Sequence, residues 1–146
     1  MGCGVGIFGR LLAEQGYNDI VGLDACESHL KFAYESGNYT ETRCLWLGQG
    51  PEKFPDDLSN RFDLVVAGGI WLVGHVPKEG MLDAHKALKK DGYFVLAMRM
   101  TYWVNGERCG YKDMVDQLQV DGKFTEVKQM QFMRGNPNSE GIMAQQ

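Results

Sequence analysis

The chain has 146 residues, 44% of them hydrophobic and 23% charged, the balance of a globular protein with length for one real hydrophobic core. A formal net charge of −4 speaks against a duplex-binding surface, since phosphate recognition relies on clustered Lys and Arg, so no nucleic-acid partner is expected. The four cysteines (Cys3, Cys26, Cys44 and Cys109) form no CxxC pair, which excludes a zinc knuckle and a redox motif, and with no signal peptide they fit a reducing, cytoplasmic compartment.

In chain order, a glycine-rich turn, GCGVG (Gly2 to Gly6), opens onto a short helix from Ile7 to Gly16 with Ile7, Leu11 and Leu12 on its apolar side. DIVGLD (Asp19 to Asp24) is a short apolar run bounded by turn residues and reads as a strand. Ser28 is placed to cap the helix HLKFAYESG, and Gly37 to end it. TRCLWLG (Thr42 to Gly48) reads as a second strand. After a loop rich in Pro, Asp and Asn comes FDLVVAGG (Phe62 to Gly69), the clearest strand of all. Its unbroken apolar run predicts burial on both faces, as in a parallel sheet.

The longest apolar stretch, LVVAGGIWLV (Leu64 to Val73), is about half of what a bilayer-spanning helix needs, so no membrane partner is expected. Lys78 to Lys90 reads as a helix with Met81, Leu82, Ala84, Ala87 and Leu88 on its apolar side, ended by Asp91-Gly92. Lys86, Lys89 and Lys90 fall near that helix end, where cations complement the dipole. YFVLAMRM is the next strand and Tyr111 to Val120 the next helix. TEVKQMQFM alternates like a strand with one wet face, and GIMA reads as a last short strand returning beside it. Strand and helix alternating in this way predict an α/β layer fold, a mostly parallel sheet with helices on both faces.

Chemistry concentrates in the opening turn. Gly2, Gly4 and Gly6 recur at every second position, and Gly9 follows three later. Glycine is required where the backbone must turn with positive φ or approach a ligand within contact distance. The free N–H groups of the helix beyond favour an anionic or carboxylate-bearing ligand. A glycine pattern by itself is also that of a tight structural bend. Asp24 strengthens the ligand reading: it ends the next strand 20 residues beyond Gly4, where a carboxylate can accept both hydroxyl protons of an adenosine ribose. Nicotinamide dinucleotides call for GxGxxG, which Gly4, Gly6 and Gly9 satisfy; S-adenosylmethionine calls for GxGxG, which Gly2, Gly4 and Gly6 satisfy.

The rest of the chain separates the two. GCGVG, VGLDACESHLKFA, LGQGPEKFPDD, RFDLVVAGG and ALKKDGYFVLAMR follow one another as in the class I S-adenosylmethionine-dependent methyltransferases, which the sequence resembles over nearly its whole length. The last piece stands where that family usually has a Leu-Lys-Pro-Gly-Gly joint. LGQ after one strand and GHVP after the next are most similar to the methyltransferase-like family named after the Williams–Beuren syndrome region. The nicotinamide reading rests on GVGIFG alone, and no second mononucleotide half follows.

The resemblance implies a Rossmann-like methyltransferase fold, S-adenosyl-L-methionine as cofactor, and a small molecule or a protein as methyl acceptor. By it, Gly2, Gly4 and Gly6 run under the methionine portion, and Asp24 holds the ribose hydroxyls with Ala25 beside it. Leu47, Gly48 and Gln49 line the adenine. Ala67 and Gly68 border the sulfonium and the transferred methyl. Many relatives place an acidic residue in the adenine-side loop where Gly48 and Gln49 stand here, leaving adenine to backbone contacts and to packing by Leu47 or Trp46; Trp46 is otherwise expected in the core. Ala67-Gly68-Gly69-Ile70 replaces the DPPY or NPPY tetrapeptide, which removes the usual sign of methylation at exocyclic base nitrogens. Trp71, His75, Arg99, Tyr102 and Trp103 are candidates for an acceptor pocket, with His75 as a base or a plain surface residue and Arg99 as a carboxylate anchor or a structural ion-pair partner. His85 is expected to be structural. Methyl transfer from a sulfonium depends chiefly on alignment, so no obligatory base is expected.

In that family an apolar strand ending in an acidic residue leads into GxGxG at the centre of the sheet. Here the turn begins right after Met1. The expectation is a single, N-terminally truncated methyltransferase domain over residues 1–146 with its first strand missing. It would then be a fragment of a longer enzyme, or an inactive form that works through protein contacts, or a chain that pairs DIVGLD directly with FDLVVAGG.

Overall fold

Two parallel strand pairs carry the architecture. In the computed structural model, which describes residues 1–104, 109–126, 128–131 and 144–145, β1 (Val21–Asp24) pairs with β2 (Glu41–Cys44), and β3 (Phe62–Gly68) with β4 (Leu88–Ala97). Helix α1 (Ile7–Glu14) precedes β1, α2 (Glu27–Glu35) joins β1 to β2, and α3 (Gly80–Ala87) joins β3 to β4. Helical crossovers of this kind are what parallel pairing requires. Among the described residues, α4 (Met100–Val104) and α5 (Tyr111–Val120) follow β4. The chain divides into two compact units, Met1–Met114 and Val115–Gln146. In the second, β5 (Met130–Gln131) pairs antiparallel with β6 (Ala144–Gln145). Of the returning strand GIMA only Ala144 is among the described residues. No helix among the described residues is long and apolar enough to cross a membrane.

The two strand pairs are separate sheets, and β1 does not pair with β3. The backbone leading into the glycine turn lies between them. The Met1 ammonium donates to the Val66 carbonyl at 2.8 Å, and the Cys3 N–H donates to the Leu23 carbonyl at 2.9 Å. Direct pairing of DIVGLD with FDLVVAGG is therefore corrected: residues 1–3 occupy the place where the two strands would meet.

On β3, Val65 and Ala67 are buried, as are Met81, Ala84, Ala87 and Leu88 of the α3–β4 segment. Tyr93 and Val95 of β4, in register with Leu64 and Val66, are exposed. Burial on both faces is thus met on one face only. A second cluster, Cys3, Ile20, Leu30, Ala33 and Tyr39, packs α1 and α2 around β1.

Several element ends differ from the sequence reading: YFVLAMRM is read as a strand, but β4 runs Leu88–Ala97 and Met100 opens α4. Helix α3 stops at Ala87, not Lys90, because Asn60 and Arg61 donate their N–H groups to the Lys86 and Ala87 carbonyls and draw the chain into the sheet beside Phe62. Lys89 and Lys90 therefore lie on β4 and not on a helix end. Lys89 pairs with Asp63 at 2.9 Å, while the Lys86 ammonium reaches the carbonyls of Pro51 and Phe54 at 2.9 and 3.1 Å. Strand β2 stops at Cys44, four residues early, because the chain turns over Leu47 to Gln49. The residue at the cap of α2 is Cys26, and Ser28 lies inside the first turn with its hydroxyl 3.1 Å from the Cys26 thiol.

Candidate functional site

The opening turn is closed by the Gly6 N–H, which donates to the Cys3 carbonyl at 3.0 Å. Its glycines serve different purposes. A Cβ at Gly2 would overlap the Ile70 side chain, and one at Gly6 would lie 3.2 Å from the Ala33 Cα and 3.3 Å from the Tyr39 ring. At Gly4, where φ is +53°, a Cβ would meet nothing within 4 Å. Of the three glycines expected to run under a ligand, Gly4 presents an open face, while packing accounts for the other two. Gly9, the last glycine of the GxGxxG match, sits against Tyr39, whose hydroxyl accepts the Gly9 N–H at 2.9 Å.

Asp24 lies at the carboxyl end of β1, where ligands gather in open α/β sheets. Its Oδ2 accepts the Gly4 N–H at 2.8 Å and its Oδ1 the Cys26 N–H at 3.0 Å. The carboxylate thus ties the glycine turn to the start of α2. An ionised carboxylate has about four lone-pair sites, so two amide bonds leave acceptor capacity on each oxygen. The side chain is 16% exposed, and His29 Nδ1 stands 3.9 Å from Oδ1. Ala25 beside it is exposed, and so is Cys44, the register partner of Asp24, whose thiol donates to the Ala25 carbonyl at 3.5 Å. The Cys26 thiol is held below its ordinary range by the Ser28 hydroxyl and by backbone N–H groups at the start of α2.

Beyond β2, Leu47 turns inward and is buried while Gln49 is exposed. Gly48 between them has φ +76° and donates its N–H to Asp83 Oδ2 at 2.6 Å. Trp46 is 69% exposed, which corrects its expected place in the core. Once the chain leaves the sheet at Cys44, Leu47 takes the interior position instead. Ala67 is fully buried, and its carbonyl accepts the Trp71 indole N–H at 3.1 Å. Gly68, at the strand end, is approached by the Phe8 ring, 2.7 Å from where its Cβ would be.

The acceptor-side candidates differ in burial. Trp71 is 1% exposed and meets Phe94 and Tyr111 edge-on, with ring centroids 6.2 and 5.9 Å away. It is a core residue. The Tyr111 hydroxyl, donating to the Val76 carbonyl at 2.7 Å, holds the loop after β3 against that core. His75 and Arg99 are exposed, and Tyr102 and Trp103 are half-buried on α4. Among the described residues no group of three or more His, Cys, Asp and Glu is arranged to hold a metal ion.

Residues 1–92, which contain the turn, Asp24, the Leu47–Gln49 segment and β3, match a family model described as a methyltransferase domain. The chain belongs to that methyltransferase domain family. The domain is similar in structure to a TehB-like SAM-dependent methyltransferase from Corynebacterium glutamicum, with a TM-score of 0.61, 19% identity, and coverage of 99% of this chain and 74% of that one. It is also similar to the PH0226 protein from Pyrococcus horikoshii, with a TM-score of 0.53 and 22% identity over 73% of this chain. It spans 51% of the length of that protein. These likenesses establish a Rossmann-like α/β fold. No curated protein matches in sequence.

Four residues that shape the candidate site escape a reading of motifs: Phe8, Tyr39, Ile70 and Asp83. Phe8, Tyr39 and Ile70 act by filling space left by a glycine, a relation between distant positions that no local pattern reveals. Asp83 left one signal. It shares the inward side of α3 with Gly80, Ala84 and Ala87, where a carboxylate is out of place.

Proposed function

We propose that this domain binds S-adenosyl-L-methionine at the junction of Gly4 and Asp24 and transfers its methyl group to a small-molecule or protein acceptor. The observation that carries the reading is the hydrogen bond from Gly4 to Asp24. It brings the one glycine of the turn with an open face against a carboxylate with acceptor capacity to spare. The residues fit the cofactor: Gly4 leaves room for the amino-acid half, Asp24 has acceptor capacity for ribose hydroxyls, and the Leu47–Gln49 turn would meet the nucleobase. The family match supports methyl transfer, and LGQ and GHVP support kinship with the Williams–Beuren region family.

The bound cofactor supplies an activated methyl on a sulfonium leaving group. The chain's own task is to orient and to exclude water, a contribution of about 7–11 kcal/mol in well-aligned reactions. No side chain has to accept a proton from an acceptor that is already a good nucleophile.

Calorimetric titration with S-adenosylhomocysteine and separately with NADH tests the reading. Binding of the first alone is expected. Asp24→Asn removes the charge from hydrogen bonds to the ligand, each worth about 1.5–3 kcal/mol, and so weakens binding about tenfold or more. Unchanged affinity in Asp24→Asn, or binding of NADH alone, would overturn it.

A further inference from the structure

We infer that Asp83 is a positioning residue for nucleobase recognition, fixing the pose of the Leu47–Gln49 turn through the Gly48 amide; the inference rests on the cofactor reading above.

Asp83 projects from α3 and is 2% exposed, the one buried carboxylate among the described residues. Its Oδ2 accepts the Gly48 N–H at 2.6 Å across 35 residues of chain. Its Oδ1 has no hydrogen-bond partner. A buried carboxylate with one orphan oxygen is a poor stabiliser, since a buried charge is costly unless its hydrogen bonds are satisfied. What an apolar side chain cannot do is hold one particular N–H in one place.

The surroundings show why that matters. Gly48 is in the left-handed region at φ +76°, and a Cβ there would lie 2.5 Å from the Pro77 ring and 3.1 Å from the Gly80 nitrogen. The turn is therefore clasped by Asp83 on one side and by the Pro77–Gly80 entry to α3 on another. Leu47 anchors it inward, and Gln49 is its outward residue. Burial pushes the Asp83 carboxyl up, against the opposing pull of the Gly48 N–H and of Lys86, while Glu52 adds to the rise.

Two variants separate positioning from mere stability. Asp83→Asn keeps a carbonyl oxygen for Gly48, and Asp83→Leu removes it while filling the space. The measurements are dissociation constants for S-adenosylhomocysteine and 5′-methylthioadenosine, amide exchange at Gly48, and the thermal midpoint. Asp83→Leu should unprotect the Gly48 amide and weaken both ligands by the same factor, about tenfold, the size expected for one charge-assisted hydrogen bond. Its thermal midpoint should move little, the freed Gly48 N–H being offset by removal of the buried charge. Asp83→Asn should retain Gly48 protection and bind both ligands within about twofold of the parent, because the acceptor is kept. Unchanged affinity in Asp83→Leu would overturn the proposal, as would a loss confined to S-adenosylhomocysteine, or a fall of affinity and thermal midpoint together in both variants. If the parent protein binds neither ligand, the cofactor reading itself has failed and this inference falls with it.

Discussion

Cys3 stands where the opening segment, β1 and α2 converge, and its thiol is buried among Ile20, Leu30, Ala33 and Tyr39. Burial, with the Asp24 carboxylate nearby, pushes its pKa from 9.0 to about 11. The neutral thiol is thus the form the fold favours. The associated stability is complete below pH 9 and is lost as the pH rises toward 11. Urea unfolding midpoints measured across that range should fall for the parent and fall less steeply for Cys3→Ala; equal slopes would show that Cys3 does not carry the effect. The meeting of Asp24 with the glycine turn was legible because its cue is local: a carboxylate closing an apolar run at a fixed distance after that turn. Asp83 was not, because its partner lies 35 residues earlier. Without the fold, an acidic residue in a helix reads as solvated.

At the scale of elements, the glycine turn and α1 are set by what fills the missing side chains. Tyr39 packs against Gly6, Gly9 and Gly22 together, since a Cβ on any of them would crowd its ring. Gly9→Ala should therefore overpack a buried contact and strain the Tyr39 hydrogen bond, costing about 1–3 kcal/mol in denaturant unfolding. Gly4→Ala meets no atom, so its cost is the left-handed backbone alone, about 1–2 kcal/mol, yet it should be the more damaging of the two to S-adenosylhomocysteine binding. The reverse ranking in binding would place the ligand face elsewhere. Element identity was legible in β1, β3, α2 and α5, where apolar period and bounding turns agree. Element ends were not. The stops of β2 and α3 depend on Gly48 meeting Asp83 and on Asn60 and Arg61 capturing the Lys86 and Ala87 carbonyls, which are tertiary contacts. Trp46 was misplaced for the same reason, since an early stop to β2 decides which side chain faces inward.

At the scale of the whole molecule, the two strand pairs differ in how they are held. The β3–β4 pair is backed by Trp71, Met81, Ala84, Ala87 and Leu88, all buried, whereas β2 has no buried residue. Protection against amide exchange follows burial and cooperative packing. Amides of Val65 to Ala67 should therefore exchange by global opening, and those of Thr42 to Cys44 by easier local opening. Uniform protection across both sheets would contradict this division.

The short span from Met1 to Cys3 has a further consequence. It touches Val66 on one side and Leu23 on the other, and it continues straight into the Gly4 amide that Asp24 grips. A ligand fastening itself to Gly4 and Asp24 would act as a rivet through both halves of the fold, the β1–β2 and the β3–β4 sheet, at once. Occupancy would then be felt as slower separation of the halves, so that recognition and cohesion rise together.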